Sequence, residues 1–213
     1  MTPSRILEGF LSPERLRPYR SAVGGDLDAA IRLYEWNTQV GAGFLEVLGH
    51  LEVVLRNALD GQLRAWHAAR HLAGEWYDDP LGWLEPHRAE DIREARDRLR
   101  RDAKAETPGR VVAELSFGFW RFLLGRRYQT SLWAQVLRHA FPHLQPQRRS
   151  DVYEPIQELN GLRNRIAHHE PIHHLELPRL HNSILLVGGY LDPEVRAWIA
   201  RVSRVPTLLS TKP

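Results

Sequence analysis

The sequence of 213 residues contains no cysteine. Disulfides, thiolate metal sites and a cysteine nucleophile are therefore excluded, and the composition suits a reducing compartment. Lysine is also scarce, because Lys104 and Lys212 are the only two among 29 basic residues. Arginine binds phosphate with a planar fork and stacks on bases, although a GC-rich coding sequence produces the same bias. The net charge of only +3 argues against a general nucleic-acid coat protein.

Long apolar runs are missing as well. No stretch approaches the roughly 20 apolar residues of a membrane span, and the polar, proline-broken start of the chain does not resemble a signal peptide. We therefore expect a cytoplasmic protein with no membrane partner. Hydrophobic residues make up 43% and charged residues 26% of the chain, which is typical of a soluble globular protein with a sizeable core.

The alternation of period two that marks strands is also absent from segments long enough to form one. The sequence predicts an all-α fold, with helices over 26–69, 86–104, 109–124, 129–140, 151–169, 178–191 and 193–202. The positions of proline and glycine residues divide the chain into three expected regions. These are an irregular N-terminal arm over 1–25, a single domain over 26–203 and a flexible tail over 204–213.

The segment Leu159–Ile172 carries the candidate chemistry. On a helix that turns about 100° per residue, one sector is apolar and should face the core: Val152, Ile156, Leu159, Leu162 and Ile166. A second sector should face water: Glu154, Glu158, Arg165 and His169. A third is polar but nearly uncharged: Tyr153, Gln157, Asn160, Asn164, Ala167 and His168, with Arg163 on its border. Such a strip predicts a cleft or a symmetric contact with a second copy.

The polar strip brings a phosphate-binding arginine close to a histidine that titrates near neutral pH, which favours chemistry on a phosphodiester. The pattern Arg163-Asn164-x3-His168 resembles the R-x4–6-H signature of the HEPN superfamily, and its context resembles the Abi-like (abortive infection) branch. Three blocks carry this resemblance in order over about residues 5–190: Tyr34–Asn37 with Leu51–Ala58, then Phe117–Trp120, then Arg163–Ile172.

The resemblance implies a HEPN-like helical bundle with extra helices, usually a homodimer with the active site at the interface. It also implies a metal-independent endoribonuclease, without a cofactor, from a phage-defence or toxin–antitoxin type system. Its expected partners are RNA and an antitoxin or phage-derived trigger. The products would carry a 2′,3′-cyclic phosphate and a 5′-hydroxyl.

The resemblance also implies roles for individual residues. His168 would assist proton transfer as the RNA 2′-hydroxyl attacks the adjacent phosphate, and Arg163 would hold that phosphate and its developing charge. Asn164 would orient the histidine or the phosphate. Four residues would support the site: Glu52, Arg56, Asn57 and His169. Glu52 and Arg56 are four apart on one helix and are predicted to form an ion pair.

Two alternatives remain open. A dense group of imidazoles with one carboxylate suits zinc, although it lacks HExxH spacing and Pro171 interrupts it: His168, His169, Glu170, His173, His174 and His181. The other alternative is a non-catalytic helical dimer that binds RNA or a partner protein in phage defence, in which the arginines serve binding alone.

Overall fold

The computed structural model describes residues 2–213, and in that range the chain is all-α with no strand, as predicted. Its α-helices, in chain order, are α1 Pro3–Leu11, α2 Pro13–Ala22, α3 Leu27–Ala69, α4 Pro86–Arg101, α5 Pro108–Glu114, α6 Phe117–Leu123, α7 Arg149–Ala167, α8 Leu177–Leu191, α9 Pro193–Val202 and α10 Val205–Ser210. Short turns of tighter or wider helix lie at Trp76–Asp78, Arg126–Tyr128, Gln129–Trp133 and Leu137–Ala140. Within the described residues, every helix is too short or too polar to cross a membrane.

Helix α3 is the axis of the molecule, because α2, α6, α7, α8 and α10 all pack on it. It begins after Asp26, whose carboxylate accepts a hydrogen bond from the Ala29 N–H at 2.8 Å and satisfies one free donor of the first turn. It then continues unbroken for 43 residues. The apolar face predicted for its second half is buried at Phe44, Val47, Leu48, Leu51, Leu55 and Leu59.

Two helices predicted between α4 and α7 are wrong. The segment 109–124 is divided into α5 and α6 at Ser116, because the Ser116 hydroxyl accepts a hydrogen bond from the Phe119 N–H at 3.2 Å and starts a new helix. The segment 129–140 is a wide turn and a separate tight turn, interrupted at Val136, whose backbone lies outside the helical region with φ −134° and ψ −65°. Both breaks let large apolar side chains reach the core.

The N-terminal arm, expected to be irregular over 1–25, contains helices α1 and α2. Leu16 and Tyr19 of α2 are fully buried, and Tyr19 belongs to the same hydrophobic cluster as Val205. Helix α1 buries no side chain, and its Phe10 is 88% exposed. The arm is therefore attached to the core through α2.

The tail expected to be flexible over 204–213 forms helix α10 instead and packs on α3. Val205 is fully buried, and the Trp36 indole N–H donates to the Leu208 carbonyl at 2.7 Å. A Cβ atom on Gly43 would lie only 2.7 Å from Leu208 Cδ1. The glycine therefore permits the close approach of α10 to α3.

Candidate functional site

Helix α7 ends just before the candidate histidine, two residues earlier than predicted. Its last helical residue is Ala167, and His168 caps it with φ −92° while its N–H still donates to the Asn164 carbonyl at 2.9 Å. His169 then takes a left-handed backbone with φ 56°, which ends the helix. Asn164 and His168 therefore remain neighbours on one face.

The three sectors predicted for α7 agree with the observed burial. The core sector is buried apart from Ile166, which is half-buried, and the residues expected to face water are exposed. Arg163, Asn164 and His168 are also exposed. Arg165 pairs with Glu170 at 3.2 Å, whereas within the described residues Arg163 forms no direct ion pair. The candidate residues thus lie on open surface, with the Arg163 guanidinium available.

Glu52 of α3 lies beside this surface. Burial raises the pKa of the Glu52 carboxyl, while the charges of Arg163 and Arg56 and the backbone N–H of Phe117 act in the opposite direction. These effects require short distances, so α3, α6 and α7 meet here. The direct Glu52–Arg56 ion pair predicted from spacing is wrong, because the Arg56 Nε–H donates to Asn57 Oδ1 at 3.3 Å. Asn57 itself is exposed on the outer face of α3.

Helix α6 borders the polar sector of α7 at two further points. An added Cβ on Gly118 would lie 3.9 Å from Asn160 Oδ1, so Gly118 faces the side chain of Asn160. The Arg121 guanidinium donates to the Tyr153 hydroxyl at 3.4 Å. The Phe117–Trp120 block therefore lies next to the turns of α7 that precede the Arg163–Ile172 block.

The loop after α7 is held by three separate parts of the chain. The buried Asn37 side chain accepts hydrogen bonds from the backbone N–H groups of 172–173, at 2.8 and 3.0 Å. The Lys212 ammonium donates at 2.9 Å to the carbonyl at position 173, and Arg15 donates at 2.7 Å to the His169 carbonyl. Sequence reasoning assigned no role to these three side chains. The one signal was a polar Asn37 on the buried face of α3.

The histidines near this loop lie in different surroundings. His173 is buried against the Tyr19 ring, with the ring centroids 5.0 Å apart. His181 is buried in α8, where its Nε2 lies 2.8 Å from Ser203 Oγ. The exposed members of the group are His168, His169, Glu170 and His174. Over residues 2–213, no three histidine, aspartate or glutamate side chains are grouped as ligands for one metal ion.

Comparisons with models of protein families, with curated proteins and with solved structures find no match to this chain. The site therefore has to be interpreted from its own chemistry. An exposed guanidinium without a direct anionic partner can bind a phosphate oxygen. An exposed imidazole on the same helix end can accept or donate a proton. The half-buried Glu52 supplies a nearby negative charge that can orient Arg163.

Proposed function

We propose that this protein is a metal-independent endoribonuclease with a HEPN-like active site of the Abi-like type, formed by Arg163, Asn164 and His168. The observation that carries the proposal is the meeting of the three sequence blocks around Glu52. Glu52 belongs to the early block and lies near both Phe117 of the aromatic block and Arg163 of the last block, where α3, α6 and α7 pack on one another. Blocks that are distant in sequence and meet at one polar surface are expected of a functional site.

In this mechanism Arg163 binds a phosphodiester oxygen and stabilises the negative charge that develops on the phosphate. His168 takes the proton of the RNA 2′-hydroxyl as that oxygen attacks the phosphorus. The bond from phosphorus to the 5′-oxygen breaks, leaving a 2′,3′-cyclic phosphate and a 5′-hydroxyl. The leaving oxygen must gain a proton. In a homodimer with the site at the interface, the histidine of the second copy supplies it, and Asn164 orients the reacting groups.

The biological setting follows from the same resemblance. An enzyme of this kind would act in the cytoplasm in phage defence or as the toxin of a toxin–antitoxin pair, with RNA as substrate. An antitoxin or a phage-derived trigger would control it. Helix α7 leaves its polar strip uncovered beside the catalytic residues, which suits contact with a second copy of the chain.

The test is cleavage of total cellular RNA by the purified protein in the presence of EDTA. We expect the wild type to cut and to leave cyclic phosphate ends. His168→Ala and Arg163→Ala should each lower the rate at least about 100-fold, because proton transfer and charge stabilisation are each lost. The matched controls are His174→Ala and Arg165→Ala, which replace exposed residues of the same types nearby and should retain activity.

Two results would contradict the proposal. Cleavage that persists in both His168→Ala and Arg163→Ala would exclude this site as the catalytic one. Binding of RNA without cleavage by any form of the protein would favour the non-catalytic dimer. Loss of activity in EDTA, recovered with zinc, would instead restore the metal site as the explanation.

A further inference from the structure

A cleft opens beside the end of α7, between α2, α3 and the loop that follows α7. Its volume is about 270 Å³, close to the lower end of the range for small-molecule sites, roughly 300–1,000 Å³. Aromatic, amide and acidic side chains form its polar lining: Tyr19, Tyr34, Asn37, Thr38, His169 and Glu170. This size suits one flat ring system.

The cleft adjoins the proposed catalytic residues through the chain itself. Ile166, His169 and Glu170 all line it, and His168 lies between them in sequence. Ile166 also packs on α3, where its Cγ2 would lie 3.3 Å from a Cβ added to Gly41. The lining of the cleft therefore includes the residue directly after His168 and the residue two positions before it.

Two tyrosines give the cleft an aromatic wall. The rings of Tyr19 and Tyr34 pack edge to face, with centroids 5.4 Å apart. Tyr34 is half-buried, so part of its ring is open to a ligand, and bases stack readily on such rings. The Tyr19 hydroxyl is buried and finds no hydrogen-bond partner among the described residues. The wall that a ligand can contact is therefore the open part of the Tyr34 ring.

Both hydrogen-bond donors and hydrogen-bond acceptors line the cleft beside this wall. Burial raises the pKa of Tyr19 to about 12, and its enclosed hydroxyl does not reach the open part of the cleft. The Asn37 carbonyl oxygen is occupied by two backbone N–H groups, which leaves its amide N–H₂ as a donor. Glu170 is exposed, and only one of its carboxylate oxygens pairs with Arg165. The other oxygen is an acceptor.

We propose that this cleft holds one unpaired RNA base next to the cleaved phosphate and selects bases that carry an exocyclic amino group. The inference rests on the ribonuclease function proposed above. Guanine fits best, since its amino group and the adjacent ring N–H can both donate to Glu170 while its carbonyl oxygen accepts from the Asn37 amide. Uracil fits least, because it has no amino group.

The experiment is a titration of the full-length protein with nucleosides that lack phosphate, followed by saturation-transfer NMR. We expect guanosine to bind at least about tenfold more tightly than uridine, since only guanosine can donate a hydrogen bond from an amino group to the charged Glu170. Glu170→Gln should remove that preference. Tyr34→Ala should abolish binding, while Tyr34→Phe keeps the ring and should retain it. Glu158→Gln, an exposed acid on α7, is the matched control.

Equal binding of guanosine and uridine, or a preference that survives Glu170→Gln, would overturn the assignment of the cleft. Binding by Tyr34→Ala as tight as by the wild type would do the same. Nucleosides carry no scissile bond, so this result does not depend on catalysis. If RNA is cut but wild type and Glu170→Gln cut at the same bases, the cleft proposal fails and the ribonuclease stands. If nucleosides bind selectively but no RNA is cut, the ribonuclease proposal fails and the cleft proposal stands.

Discussion

The Asn37 side chain accepts hydrogen bonds from two backbone N–H groups that lie between the end of α7 and the start of α8. No helix supplies acceptors for these two groups. Its side chain is only 7% exposed, and water cannot replace it without opening the core. A buried donor that loses its partner costs roughly 1–3 kcal/mol. One amide thereby determines where the chain runs after the proposed catalytic histidine.

Asn37→Ala is expected to lower the free energy of unfolding by about 2–4 kcal/mol, because two buried N–H groups lose their acceptor. Urea denaturation measures the change. Asn37→Asp keeps an acceptor oxygen and should recover part of the loss. The control is Thr38→Ala, at the next, exposed position, which should change stability by less than about 0.5 kcal/mol. An Asn37→Ala variant as stable as that control would contradict the role given to the amide.

At the scale of elements, the contact between α3 and α10 depends on a glycine. Gly43 and Gly49 both lie inside α3, but their surroundings differ. A Cβ on Gly43 would press on Leu208, whereas one on Gly49 would meet nothing within 4 Å. Alanine favours a helix interior over glycine by about 1 kcal/mol. Replacing glycine with alanine should therefore change the free energy of unfolding differently at Gly43 and at Gly49.

Gly49→Ala is expected to raise the free energy of unfolding by about 0.5–1 kcal/mol. Gly43→Ala should show less of this gain or a net loss, because Leu208 has to move. In a Leu208→Ala background the obstruction is gone, and Gly43→Ala should then stabilise the protein as Gly49→Ala does. A double-mutant cycle by chemical denaturation measures this coupling. Equal effects of Gly43→Ala in both backgrounds would show that α10 does not pack on α3 in this way.

Elements with their own amphipathic pattern could be predicted from the sequence, as α3, α4, α7, α8 and α9 show. Helix α10 could not, because it is short and its partner surface is supplied by α3. The break between α5 and α6 depends on Ser116, whose hydroxyl can either cap a helix or remain inside one. Periodicity alone places Asn164 and His168 on one face, with Arg163 on its border. The neighbouring cleft requires Tyr19, which only tertiary packing brings there.

Over the whole molecule, two buried histidines make stability depend on pH. Burial lowers the pKa of His173, with smaller effects from His174 and Lys212, and burial also lowers the pKa of His181. The unfolded chain binds these protons near pH 6.5, whereas the folded chain binds them only at lower pH. Their contribution is therefore fully present above about pH 6.5 and is lost as the pH falls through the folded pKa values.

The free energy of unfolding should accordingly fall between pH 7.5 and pH 5.5, a range in which most carboxylates stay ionised. His173→Phe keeps a ring against Tyr19 but cannot take up a proton, so its stability should vary less over this range. His139→Phe replaces an exposed histidine that does not act on His173 and should follow the wild type. Urea denaturation at several pH values provides the comparison, and a pH dependence unchanged in His173→Phe would contradict the assignment.

The long-range contacts of the loop after α7 also depend on the order in which the chain is synthesised. Ribosomes make a chain from its N-terminus, so Trp36 and Asn37 are synthesised long before Leu208 and Lys212. The carbonyl that Trp36 binds and the ammonium that holds the loop are synthesised after the loop itself. The loop beside His168 therefore lacks two of its long-range contacts until residues 208–212 have left the ribosome. Completion of this part of the fold is thereby coupled to synthesis of the segment that follows α9.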